Sequence, residues 1–461
     1  MAIMAAFMVP HPPMIVPEIG RGSEAQIRET TLAYEKVAEE IAALEPDTII
    51  ITSPHSVMYS DYFHISPGTK AKGSFADFRA RQVQFAEEYD EELVNRICLE
   101  ALEEHFPAGT LGERDSKLDH GTMVPLWFIR RKYSGGKIVR IGLSGLPLTD
   151  HYRLGMLISR AVDALGRKAV FVASGDLSHK LQTYGPYGFA EEGPEYDRRV
   201  MEDCSKGEFG NLLTYEEAFC EKAAECGHRS FVIMAGALDG MAVRSCALSH
   251  QDVTGVGYGI CTFYPGQEDA GRHFLTSYLD DLERRVSREA LSADDYVKLA
   301  RKTIDLYVRT GKTLPVPGDL PEEMLKMRAG TFVSIHKQGK LRGCIGTIAP
   351  TASCVAREII QNAISACSKD PRFDPVTEEE LKWLEISVDV LGKPEKIDSP
   401  AQLDVKRYGV IVTSGYRRGL LLPDLDGVDT PAQQISIALQ KGQIRETEKY
   451  TLERFEVIRH F

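Results

Sequence analysis

The 461-residue chain has no uninterrupted apolar run of the ~18 residues that a membrane-spanning helix needs. Its first residues also lack the order basic, apolar, then small that marks a secretory signal. Both absences lead to the expectation of a cytoplasmic protein with no membrane partner. Positive charge is in deficit: 55 Lys and Arg against 67 Asp and Glu leave a net charge of -12. A nucleic-acid partner, which needs a basic face to meet phosphates, is therefore not expected. No two cysteines are spaced CxxC, and their total, nine, is odd. That pattern argues against a zinc ribbon or a disulfide framework and for reduced thiols. No internal repeat or low-complexity tract is evident, and 43% hydrophobic with 26% charged residues is the balance of a globular protein.

What is present is an alternation of apolar strand-like runs and amphipathic helical segments. Residues 2–9, 47–53, 137–143 and 169–173 read as buried strands, with helical patterns at 23–44, 153–165 and 196–202 between or after them. This predicts an α/β domain with a mostly parallel sheet flanked by helices, over residues 1–266. A polar stretch and a connecting helix, 267–291, lead to a smaller α+β domain at 292–461. In the latter, Asp294 and Asp295 precede the helix 296–310 as cap and first-turn acids. Short strands follow at 329–336, 384–391 and 409–412.

Three histidines stand where apolar strands stop: His11 in Val9-Pro10-His11-Pro12-Pro13, His55 in Ser53-Pro54-His55-Ser56, and His179 after Ser174-Gly175-Asp176-Leu177-Ser178. Ligands of open α/β sheets bind at the carboxyl ends of strands, so these imidazoles are candidates for one metal or catalytic site. Prolines hold His11 in extended backbone, and His11 and His55 would meet if their strands are adjacent. Each taken alone also reads as a structural or surface histidine. A third ligand is expected from Ala224-Glu225-Cys226-Gly227-His228-Arg229. Neighbouring side chains diverge, so one of the two reaches a given ion: Glu225, the preferred reading, completes a two-histidine-one-carboxylate triad for Fe(II), whereas Cys226 makes a softer site. His179 and His120 (in Leu118-Asp119-His120-Gly121-Thr122) are candidate proton carriers, with turn or cap roles as the alternative.

With VPHPP, SPHS, LDHGTMVPL, GDLSH and ECGHR in this order, residues 1–265 resemble the class III extradiol ring-cleaving dioxygenases, whose fold the Memo proteins share. The resemblance implies His11 and His55 as histidine ligands of a non-haem ferrous ion, Glu225 near the carboxylate ligand, His179 as acid/base and His120 beside the substrate oxygens. It implies a small aromatic or other metal-chelating substrate. Cys226 is a departure, since Memo-like members use a cysteine in this region.

In the second domain, Leu341-Arg342-Gly343-Cys344-Ile345-Gly346, Lys369-Asp370-Pro371-Arg372-Phe373 and Arg418-Gly419-Leu420-Leu421-Leu422-Pro423-Asp424 resemble the AMMECR family. A Memo-like domain fused to an AMMECR domain is similar to the A component of the bacterial and archaeal AmmeMemoRadiSam system, which implies a radical S-adenosylmethionine protein as partner. As a regular strand, LRGCIG would put Arg342, Cys344 and Gly346 on one face. A guanidinium there would favour the thiolate, making Arg342 and Cys344 a candidate second site; a packed cysteine is the other reading. Arg342, Arg372 and Arg418 are either an anion site or solvated surface charges. Self-association is left open.

Overall fold

The computed structural model describes residues 3–114, 117–425 and 427–461. The chain divides into two compact units between Leu279 and Asp280, a point inside the helix Phe274–Ser292.

In the first unit, β1 (Ile3–Val9), β2 (Thr48–Ser53), β3 (Lys137–Gly142) and β4 (Ala169–Ser174) are almost wholly buried. Strands covered on both faces read as continuous apolar runs, which is why they were legible. They pair in parallel in the order β3-β2-β4-β1. Ile49 and Ile51 of β2 face one core, built with α1 (Arg28–Leu44) and α2 (His120–Arg130). Ile50 faces the other, built with α3 (Leu148–Leu165) and α4 (His228–Ala237). Two further strands follow in the chain, β5 (Met241–Gln251) and β6 (Tyr258–Glu268); β6 pairs antiparallel with β1, and β5 lies antiparallel on β6 as the edge strand. β5 escaped the sequence reading because it is mostly exposed and carries Arg244, Ser245, Ser249 and His250 in place of an apolar period.

The strands before His11 and His55 are not neighbours, because β4 lies between β1 and β2. All three run parallel and so end on one edge of the sheet, which is what brings their histidines together.

The second unit holds one antiparallel sheet of β7 (Thr331–Lys337), β8 (Lys340–Gly346), β9 (Leu384–Leu391), β10 (Glu395–Ile397), β11 (Tyr408–Ser414), β12 (Arg417–Leu421) and β13 (Thr451–His460). The order is β8-β7-β9-β13-β11-β12, with β10 also on β13. α5 (Asp295–Thr310) and α6 (Val355–Ser368) cover one face through Val333, Ile335, Val388 and Val390. The expected cap is present: the Asp294 carboxylate accepts from the amides of Tyr296 and Val297 at 3.0 and 3.1 Å.

One expectation fails in β8. Ser334 faces Cys344 and Ile335 faces Gly343, but His336 faces Leu341, so Arg342 is the extra residue of a β-bulge. The bulge breaks the alternation that would have set Arg342 beside Cys344. Its guanidinium instead grips Glu380 at 3.0 and 2.9 Å and donates to the Asp374 carbonyl at 2.9 Å.

Candidate metal centre

At the shared edge of β1, β4 and β2, the His11 and His55 Nε2 atoms approach to 3.0 Å. His11 is only 2% exposed, whereas His55 opens to solvent on its outer side, so the pair is reachable from one direction. The last residue of β4, Ser174, contacts His11. Its hydroxyl, Ser174 Oγ, donates to the Gly121 carbonyl at 2.6 Å and contacts His11 Nδ1 at 3.0 Å. With its single proton committed, Ser174 must accept from His11 Nδ1–H, which leaves the Nε2 lone pair pointing at His55. Hydrogen bonds that fix a tautomer in this way are typical of ligating histidines. The His55 loop is set by Ser53, whose Oγ accepts from the His55 amide at 3.2 Å and donates to Asp119 at 2.6 Å.

His120 opens α2 behind the Asp119 cap, with its ring 4.0 Å from that of His55 and 5.5 Å from that of His11. Burial, then mutual repulsion, push the pKa of His11 and His120 down to about 3. His55 moves the same way through its packed inner edge. Three imidazoles are therefore neutral at neutral pH, the form in which they can ligate.

Cys226 supplies the third donor. Its Sγ lies 3.7 Å from His11 Nε2 and accepts from the Asp176 amide at 3.3 Å. A pair of glycines brings it there: a Cβ on Gly175 would stand 2.1 Å from the Cα of Gly227, so only a glycine after β4 lets the 225–227 segment dock on the sheet edge. Glu225, the ligand preferred from sequence, is turned away. Its carboxylate accepts from the His228 amide at 2.6 Å at the start of α4, and burial raises its pKa to about 7. The neighbours diverge as expected, but it is the thiol that faces the histidines.

The donor atoms of His11, His55 and Cys226 lie within 4.8 Å of one another, as do those of Asp176, His179 and Cys226. An ion held tetrahedrally at ~2.05 Å from nitrogen and ~2.3 Å from sulfur needs N···N and N···S separations of roughly 3.4 and 3.6 Å. The observed 3.0 and 3.7 Å fit a divalent transition metal with small adjustment.

His179 stands on the opposite wall. Its Nε2 is buried, has no hydrogen-bond partner among the described residues, and lies 3.9 Å from Asp176 Oδ2. Its ring stacks on Tyr187 at 5.0 Å. From sequence, Asp176 reads only as part of a small polar turn. Its Oδ1 accepts from the His11 amide at 2.8 Å, its Oδ2 is 3.9 Å from His11 Nε2, and burial raises its pKa to about 6. Its position two residues beyond a buried strand and three before His179 was the available signal.

Fold and site together define a class: an open α/β sheet that gathers imidazoles at its strand ends around a metal-sized gap. Residues 5–261 match the family described as the catalytic LigB subunit of aromatic ring-opening dioxygenase, and the chain belongs to that family. Residues 297–460 match AMMECR1. A Clostridium acetobutylicum protein is 41% identical over 472 residues, covering 100% of this chain and 99% of its own length. A Thermotoga maritima protein is 48% identical over 168 residues, 35% of this chain and 97% of its own. Among solved structures, an uncharacterized Pyrococcus horikoshii protein matches with 32% identity and a TM-score of 0.34, over 36% of this chain and 88% of its own. An uncharacterized Escherichia coli protein matches with 16% identity and a TM-score of 0.37, over 56% and 99%. Among the described residues no helix is long and apolar enough to cross a membrane.

Proposed function

We propose that the N-terminal unit is a metal-dependent, dioxygenase-like oxidoreductase that holds Fe(II), or another divalent transition-metal ion, through His11, His55 and Cys226. Its substrate would be a small aromatic or other metal-chelating molecule. One observation carries the reading: beside three converging donors stands His179, with a buried nitrogen left unpartnered, which a purely structural metal site does not need. When bound, the ion would supply Lewis-acid polarisation and, if redox-active, electron transfer.

The chain's own residues supply the rest. His179 Nε2 can take or return a substrate proton, with Asp176 orienting it and stabilising its charged form. His120, held neutral, can donate to or accept from a substrate oxygen on the open side next to His55. Tyr187 covers the outer face of His179 and narrows its access to water.

A second reading follows from the thiol. A cysteine where a facial triad has a carboxylate suits softer metals such as copper or zinc, and it supports a metal-binding protein without oxygen chemistry, or a modification enzyme working with a radical S-adenosylmethionine partner. The test is metal analysis of wild type, Cys226→Ser and Glu225→Gln, followed by oxygen uptake of ferrous-loaded protein with catechols. Loss of metal in Cys226→Ser with retention in Glu225→Gln is expected, and the reverse refutes the ligand set. No turnover of a panel including protocatechuate and aminophenols refutes the oxygenase reading and leaves the second. Copurification of a radical S-adenosylmethionine protein would support the partnered form.

A further inference from the structure

The C-terminal unit contains a cavity of about 1150 Å³, floored by the sheet face that carries Ser334, Cys344 and Ser387 and edged by Val297 and Arg301 of α5. Three segments far apart in sequence contribute to it: Leu341, Cys344 and Gly346 from one, Arg372 from the second, and Arg418 to Leu422 with Asp424 from the third. These are the same three segments whose spelling is most specific in this half of the chain.

Most of the LRGCIG residues have packing roles that explain them. Arg342 forms the bulge and grips Glu380. Gly343 passes so close to α6 that a Cβ would lie 2.3 Å from the Ala366 carbonyl, and Ile345 packs against the core on that side. Gly346 makes room for the Phe332 ring, which a Cβ would meet at 2.2 Å. Cys344 has no such role. It is half-buried, faces the cavity, and lies at the end of a rung of small polar side chains, Cys344, Ser334 and Ser387, where the opposite sheet face carries valines and isoleucines. Closed sheet faces are filled by large apolar side chains, so small ones here leave an open floor.

The thiol is also held in place. The Cys344 amide donates to Asp370 at 2.9 Å and its carbonyl accepts from Arg372 at 3.2 Å, which fixes both backbone groups of this edge-strand residue. Ser334 Oγ donates to Sγ at 3.3 Å. Both Arg372 and Arg459 line the cavity together with Cys344. Arg372, braced by Asp370, lies beside its backbone, and Arg459, braced by Asp389 at 2.8 Å, stands on β13 with β7 and β9 between. Asp370 and Asp389 are spent on the two arginines; Glu289, Glu385 and Asp424 add opposing charges to the lining, against the further cations Arg301, Arg418 and Lys441.

We propose that this cavity is a second ligand site, independent of the metal centre, which takes a small carboxylate-bearing electrophile, with Arg372 and Arg459 meeting the carboxylate and Cys344 as the reacting thiol. In the step, the thiol gives its proton to solvent, a carbon–sulfur bond forms at the electrophilic carbon, and the leaving group departs with the electron pair of the bond that breaks.

Iodoacetate and its neutral counterpart iodoacetamide test this on the full-length protein, with peptide mass spectrometry following each cysteine in time. The exposed Cys246 serves as reference and the buried Cys354 and Cys367 as protected controls. The iodoacetate-to-iodoacetamide rate ratio at Cys344 is expected to exceed that at Cys246 by about tenfold, the factor that 1.4 kcal/mol gives. Arg372→Gln or Arg459→Gln should each pull it back towards the reference. A ratio at Cys344 equal to that at Cys246 in the wild type overturns the anion contact. Protection of Cys344 to the level of Cys354 overturns the site altogether.

Discussion

Replacing Ser174 by Ala isolates how the sheet prepares its histidines. The hydroxyl donates to the Gly121 carbonyl at 2.6 Å and accepts from His11 Nδ1–H at 3.0 Å, so one atom fixes both the ring orientation and the tautomer. In Ser174→Ala the neutral imidazole is free to carry its proton on Nε2, the atom that faces His55 and Cys226. Losing an orienting partner of this kind weakens metal binding ~10–100-fold, which is about 1.4–2.7 kcal/mol. The same change leaves the buried Gly121 carbonyl without its donor, at a cost of ~1–3 kcal/mol to the metal-free protein. Two measurements keep the effects apart. Competition with a chromophoric chelator gives the affinity for Zn(II) or Fe(II), and urea unfolding in the presence of chelator gives the stability of the metal-free protein. Unchanged metal affinity in a variant whose stability falls as expected would refute the argument that Ser174 sets the ligating nitrogen.

Gly175→Ala should force the 225–227 segment off the sheet edge. We expect ~1–3 kcal/mol of destabilisation from overpacking together with lost metal binding, read by thermal melts and metal content. Glu225→Ala should cost ~0.5–2 kcal/mol through the unsatisfied amide at the start of α4, while metal content stays at the wild-type level. Glu380 gives a pH signature in the second unit. Burial opposes its ionisation but is outweighed by Arg342, the Thr377 amide and Lys337, so its pKa falls from 4.5 to about 2. A folded-state pKa below the unfolded value stabilises the protein above pH 4.5, and that contribution is lost as the pH falls from 4.5 towards 2. Urea midpoints at pH 7 and pH 3 should therefore converge in Glu380→Gln relative to wild type, and an unchanged difference would count against the Arg342 clamp.

The parallel strands and their terminal histidines were legible because burial on both faces writes continuous apolar runs, and prolines mark where His11 and His55 leave the sheet. The choice between Glu225 and Cys226 was not legible, since it depends on how 225–227 is rotated by the contact of Gly175 with Gly227, two residues remote in sequence. Arg342 was misplaced because periodicity assumes an unbroken ladder, and a bulge shifts every residue before it to the other face. Arg459, which shares the cavity with Cys344, comes from the last strand of the chain, and no local pattern connects the two. Asp176 was read as part of a polar turn because its partner is the backbone of His11, 165 residues away.

That spacing has a consequence in time. His11 and Cys226 are 215 residues apart, and at roughly 5–20 residues per second a ribosome needs about 10–40 s to make the stretch between them. His55 follows His11 by 44 residues and Ser174 follows it by 163, so the thiol is the last of these groups to be synthesised. On the proposed ligand set, a complete donor set for an ion would exist only late in synthesis, once the segment that carries Cys226 has been made.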